Sequence, residues 1–110
     1  MSKYGNKITF VDGIKFHSAK EARRYRELKL LERAGHITDL RRQVKYVLWP
    51  TIYDDDGKLL FHGRNYYADF VYRDRSGKIV VEDCKGFRTE VYKMKAALMY
   101  LNYHIKVLET

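Results

Sequence analysis

Asp69 and Asp83 are the residues whose type and spacing most readily suggest chemistry. They flank the run Asp74-Arg75-Ser76-Gly77, which fits a type I turn whose glycine takes the left-handed position of a bulge. In such a hairpin Asp74 pairs with Lys78, partner numbers sum to about 152, and Asp69 falls opposite Asp83. Side chains alternate along strands, so Lys85, two residues beyond Asp83, shares its face. Directly opposed Cβ atoms stand roughly 5 Å apart, and two carboxylates held so close repel unless a cation intervenes. Mg²⁺ suits the pair, because it takes oxygen ligands, keeps several waters and needs only one or two carboxylates beside a substrate phosphate. A two-residue loop would instead put Glu82 opposite Asp69 and turn Asp83 to the other face. Solvated acids paired with nearby Arg and Lys are the purely architectural alternative.

The elements that must position these acids can be read from the pattern. Lys7–Val11 and Ile14–Phe16 flank Asp12-Gly13, a strong hairpin signal. Ser18 reads as an N-cap with Glu21 completing a capping box, and a helix is predicted from Ala19 to Ala34, capped by Gly35. Ala22, Tyr25, Leu28 and Leu31 form its buried stripe. Val44–Trp49 is predicted as a strand that Pro50 ends. Ile52-Tyr53 and Leu59-Leu60-Phe61 form a hairpin around Asp54-Asp55-Asp56-Gly57. That turn lacks the alternating acids and distal Glu of a calcium loop. Tyr66–Arg73 and Lys78–Lys85 make the hairpin that carries the aspartates. Thr89 caps a second helix to about Leu101, with Val91, Met94, Leu98 and Leu101 expected on its buried side, and His104–Leu108 closes the chain as a strand. The fold class expected is α/β, more closely an α+β mixed sheet covered by helices. One domain spans 1–110, with an N-terminal hairpin over 7–17 and a core over 18–110.

Composition narrows the function classes. A chain of 110 residues makes one domain with a real core. Its 22 Lys and Arg against 14 acids give a net charge of +8, a field that attracts polyanions. Cys84 is the single cysteine, so no internal disulfide or cysteine-rich zinc site forms. The histidines 17, 36, 62 and 104 are scattered without ligand spacing. No long apolar run or signal-like N-terminus is present, so no membrane association and a cytoplasmic location are expected.

Ala68-Asp69-Phe70 followed by Val80-Val81-Glu82-Asp83-Cys84-Lys85-Gly86 resembles the signature of the PD-(D/E)xK nuclease superfamily, an Asp on one strand and an acid-x-Lys on the next. Ala68 stands where the signature has Pro. The chain as a whole looks like a family of small phage-encoded proteins within that superfamily, through Asp12-Gly13-Ile14-Lys15-Phe16, Ser18-x-x-Glu21-Ala22 and Gln43 before a strand. The resemblance implies a restriction-endonuclease-like core and Mg²⁺- or Mn²⁺-dependent hydrolysis of DNA phosphodiesters. Asp69 and Asp83 would be metal ligands, joined by the Cys84 backbone carbonyl and, as ligand or as helix cap, by Glu21. Lys85 would orient the attacking water or stabilise charge on the phosphate, or simply neutralise the acids. Gln43 and Glu82 would support the site, with Glu82 facing away from Asp83. Arg88, Lys93, Lys95, Arg23, Arg24, Arg41 and Arg42 are candidates to hold the DNA backbone, although charged helix faces are commonly just solvated. Small stand-alone members of the superfamily include Holliday-junction resolvases that act as dimers, so a structure-selective endonuclease in the host cytoplasm is the leading expectation, with nicking of duplex DNA as a variant and a homodimer as one possible assembly. The competing classes are a non-catalytic nucleic-acid-binding module and a phage-encoded interaction protein.

Overall fold

Asp12 and Gly13 both adopt positive φ, 52° and 77°, the paired left-handed conformation of a tight two-residue hairpin turn. They join β1 (Thr9–Val11) to β2 (Ile14–Phe16) in a small sheet of its own. The computed structural model describes residues 7–84 and 89–110; Lys85 and Arg88, both expected at the site, lie outside the described residues. Ser18 caps α1 (Ala19–Arg33) by accepting a hydrogen bond from the Glu21 amide at 3.2 Å. Gly35, at φ 79°, ends the helix in the left-handed position expected of it.

The main sheet has the order β3 (Thr38–Trp49), β6 (Arg64–Arg73), β7 (Ile79–Asp83), β8 (Leu108–Glu109). Its first two pairings are antiparallel, and β8 joins β7 in parallel. It is the expected mixed sheet in a mixed α+β fold. β3 starts six residues before the expected Val44, so Gln43 lies inside a strand rather than ahead of one. Between β3 and β6 the chain leaves the sheet as a separate hairpin, β4 (Ile52–Tyr53) and β5 (Leu59–Phe61). Pro50, with no amide to offer, stands just past the end of β3.

The two helices cover opposite faces. Phe70 and Tyr72 pack with Phe16, Tyr25 and Leu28 on the α1 face. Val71 and Val81 pack with Tyr92 and Met99 of α2 (Glu90–Tyr103) on the other. Thr89 caps α2 as expected, accepting from the Tyr92 amide at 3.0 Å. Its buried side is not the expected one. Tyr92 and Met99 face inward, whereas Val91, Met94 and Leu101 are 62, 61 and 72% exposed. Leu98 packs only at the margin of the core. α2 carries two apolar stripes, and the one with the large aromatic won the sheet. The final strand is also shorter and later than His104–Leu108. His104 takes a left-handed conformation, φ 56°, and caps α2, leaving two residues to pair with β7. Among the described residues no helix is long and apolar enough to cross a membrane.

Candidate metal centre at the fold of the sheet

The turn between β6 and β7 is the predicted one. The Asp74 amide donates to the Lys78 carbonyl at 2.9 Å, and Gly77 sits at φ 86°. The register that follows pairs Arg73 with Ile79, Tyr72 with Val80, Val71 with Val81 and Phe70 with Glu82. The ladder ends at that last pair, and Asp69 and Asp83 are the next residues beyond it on the two strands. A slipped register with Glu82 opposite Asp69 is thereby excluded. Asp83 is buried and shares the parity of Val81, on the α2 face.

Asp69 occupies a special place. Along β6, Tyr66 and Ala68 pack on the α2 face, yet Phe70 and Tyr72, of the same parity, pack on the α1 face. β3 makes the same change: Leu40 packs on the α1 face, while Val44, Tyr46 and Leu48 pack on the other. Pairing is kept through the change, Arg42 with Phe70 and Val44 with Ala68. Both strands therefore turn over together between these pairs, at the level of Gln43 and Asp69. Gln43 takes φ 49°, a left-handed conformation costing a non-glycine residue about 1 kcal/mol. Strain of this kind persists where surrounding structure enforces it, commonly at functional sites.

Turning the sheet over lets groups from both faces meet at Asp69. The Gln43 side-chain amide donates to Asp69 Oδ1 at 3.2 Å and to Glu21 Oε1 at 3.3 Å, linking the first turn of α1 to β6. The Cys84 backbone amide donates to Asp69 Oδ2 at 2.8 Å. Glu21 is held from the other side by Arg42, 3.8 Å away, whose guanidinium also lies over the Phe16 ring at 4.5 Å. The Glu21 carboxylate is thus directed to Gln43 and Arg42. Burial first, and the charge of Asp69 second, push the Glu21 carboxyl above its ordinary pKa. Tyr66 is raised likewise, by burial and then by Asp83 and Asp69, so it stays a neutral phenol beside the acids.

The remaining expected residues divide. Glu82 is fully buried on the α1 side, where Arg24 grips it through two hydrogen bonds of 2.8 and 2.7 Å and the Tyr72 hydroxyl donates to it. It faces away from Asp83 and acts as an internal anchor for α1. Arg24, expected on DNA, is committed to Glu82 and to Glu27 at 2.8 Å, and Arg42 to Glu21 and Phe16. Arg41 lies 3.7 Å from Asp39, and Lys93 3.1 Å from Glu90. Arg23 is exposed on α1, and Lys95 lines an apolar groove along α2. The Cys84 thiol is half-buried, contacts Thr110 Oγ1 at 3.2 Å and is pushed by burial up to about 11, which makes it a poor nucleophile. Sequence reasoning did not anticipate the Glu21–Gln43–Asp69 chain. Its only sequence signal is the Gln43 that the resemblance had already marked as a support of the site.

Among the described residues no three His, Cys, Asp or Glu side chains group closely enough to hold a metal by themselves. The donors at hand are carboxylate oxygens, and a two-carboxylate set completed by water and phosphate is the habit of Mg²⁺ rather than of Zn²⁺ or Ca²⁺. The residues present therefore fit a hard divalent cation.

No curated protein and no solved structure matches the chain. No nuclease family is identified by the comparison with family models. The model that does match, described as "Protein of unknown function (DUF1064)", covers residues 1–109, and the chain belongs to that family.

Proposed function

We propose that this protein is a metal-dependent endodeoxyribonuclease that acts on branched DNA. The observation that carries the proposal is the Phe70–Glu82 pairing, which leaves Asp69 and Asp83 next along the two strands where the sheet turns over, with Asp69 tied to Glu21 through Gln43. Asp69 and Asp83 would hold Mg²⁺ or Mn²⁺, with the Cys84 carbonyl as a further ligand. Once bound, such an ion supplies positive charge to the scissile phosphate and lowers the pKa of an attacking water. Gln43 and the Cys84 amide fix both oxygens of Asp69, so its carboxylate needs no reorganisation to bind. Lys85, the lysine of the signature, is assigned to stabilising charge on the phosphate. The net charge of +8 provides sequence-independent affinity for DNA.

The test is cleavage of four-way, flap and linear duplex DNA with Mg²⁺ or Mn²⁺, beside Asp83→Ala. Metal-dependent cutting of branched DNA that disappears in the variant is expected. Equal cutting by both proteins would reject the assigned site. A non-catalytic nucleic-acid-binding module is the second reading, favoured by the lack of a three-ligand cluster among the described residues. It predicts salt-dependent binding with no metal-dependent cleavage, and little change on Asp69→Ala.

A further inference from the structure

Two apolar surfaces stand exposed beside one another. The first is the hairpin β4–β5, where Tyr53, Leu60 and Phe61 are 60, 52 and 62% exposed and Ile52 and Leu59 are also open. Its strands pair with each other in a sheet separate from the main one. The second is the outward stripe of α2, Val91, Met94 and Leu101, of which Val91 and Met94 line a groove with Leu48, Trp49 and Leu98. Trp49 and Arg64 belong to both, since they are the residues from which the hairpin arm departs and returns. Monomeric proteins rarely expose apolar patches beyond a few hundred Å².

We propose that these surfaces cover each other between two copies of this chain, the arm of each seated on the α2 groove of the other. Three observations select a second copy as the occupant. Charge is complementary: Asp55 and Asp56 stand exposed at the arm's tip on a chain of net +8, and Arg64 and Lys95 edge the groove. Length is matched: six residues each way give the arm a reach of about 20 Å, and the stripe from Val91 to Leu101 runs about 15 Å. Area is sufficient: the eight exposed apolar side chains named, at roughly 100 Å² each, offer on the order of 800 Å², what a stable interface takes from each partner. Because the groove begins at the arm's root, a single two-fold axis satisfies both contacts at once, as a closed isologous dimer requires. The proposal is independent of the nuclease reading, because it is read as mass in solution.

The experiment is sedimentation of the full chain over a wide concentration range, with an arm variant, Phe61→Asp, and a groove variant, Met94→Glu. Circular dichroism checks that both keep the fold, and Tyr53→Ser with Leu101→Lys serve as a second pair if either does not. The wild type is expected to be a dimer, and each variant to weaken association at least tenfold. An equimolar mixture of the two variants retains one intact arm and one intact groove, and is expected to associate more strongly than either alone. A monomeric wild type overturns the proposal, as does a dimer indifferent to both substitutions. A mixture no stronger than its components overturns the arm exchange.

Discussion

Gln43 holds the carboxylates of Glu21 and Asp69 with one amide while its own backbone is strained. The two roles separate by substitution. Gln43→Ala and Gln43→Gly should each lower metal affinity or cleavage 10- to 100-fold, as removal of an outer support of a ligand typically does. Gln43→Gly, however, relieves the left-handed strain and should be more stable than Gln43→Ala by about 1 kcal/mol in urea unfolding. Glu82 offers a second residue-scale test. Arg24→Ala strands a buried carboxylate and should cost about 3 kcal/mol, while Arg24→Met combined with Glu82→Leu should cost less than the single change, because no lone charge stays inside. The register of β6 against β7, with Phe70 across from Glu82, was legible in the sequence because one loop type fixes one register. The partnership of Gln43 with Glu21 was not. It joins a helix to a strand across the whole core, and no local spacing rule reaches that far.

Elements, in this fold, owe their position to small devices at their ends. Asp74 accepts from the Ser76 and Lys78 amides and from the Ser76 hydroxyl, and these bonds, the hydroxyl's foremost, hold its carboxyl below the ordinary pKa of 3.8. A depressed folded pKa contributes stability that is present above the unfolded value and lost as pH falls through the folded one. Asp74→Asn keeps an acceptor oxygen but does not titrate. The stability advantage of the wild type over this variant should therefore shrink as pH falls below the ordinary carboxyl pKa of 3.8, read as converging urea midpoints. At the root of the arm, a Cβ on Gly63 would lie 2.9 Å from the Thr51 nitrogen and 3.0 Å from the Trp49 oxygen, both backbone atoms. Gly63→Ala should thus cost about 1 to 3 kcal/mol in thermal or urea unfolding. Helix starts and hairpins were readable because caps and turns are local chemistry. The inward face of α2 was not, because both of its stripes satisfy helical periodicity and only the sheet decides between them. The last strand was overextended because His104, a residue with a Cβ, terminates α2 in the conformation usually reserved for glycine or asparagine.

The whole molecule is a basic body with two of its acids, Glu82 and Asp83, fully buried. Removing the charges of Asp69 and Asp83 at the fold of the sheet should strengthen its grip on DNA when no metal is present. Asp69→Asn with Asp83→Asn is expected to bind branched DNA several-fold more tightly than the wild type in chelator, with the same steep decline in added salt, measured by fluorescence anisotropy. The elongation of the molecule, a radius of gyration of 16.4 Å against about 13 Å for a compact chain of this size, fits a body carrying a projecting arm. That arm ends in Asp54-Asp55-Asp56-Gly57-Lys58, and the β6–β7 hairpin ends in Asp74-Arg75-Ser76-Gly77-Lys78. In both, the leading Asp accepts from the amides two and four residues on, its own amide reaches the Lys carbonyl, and the glycine is left-handed, at 82° and 86°. The two bends are interchangeable cassettes. Writing Arg and Ser in place of Asp55 and Asp56 would reverse the electrical sign of the arm's tip without redrawing its backbone, which gives an engineer a handle on self-recognition that leaves the rest of the protein untouched.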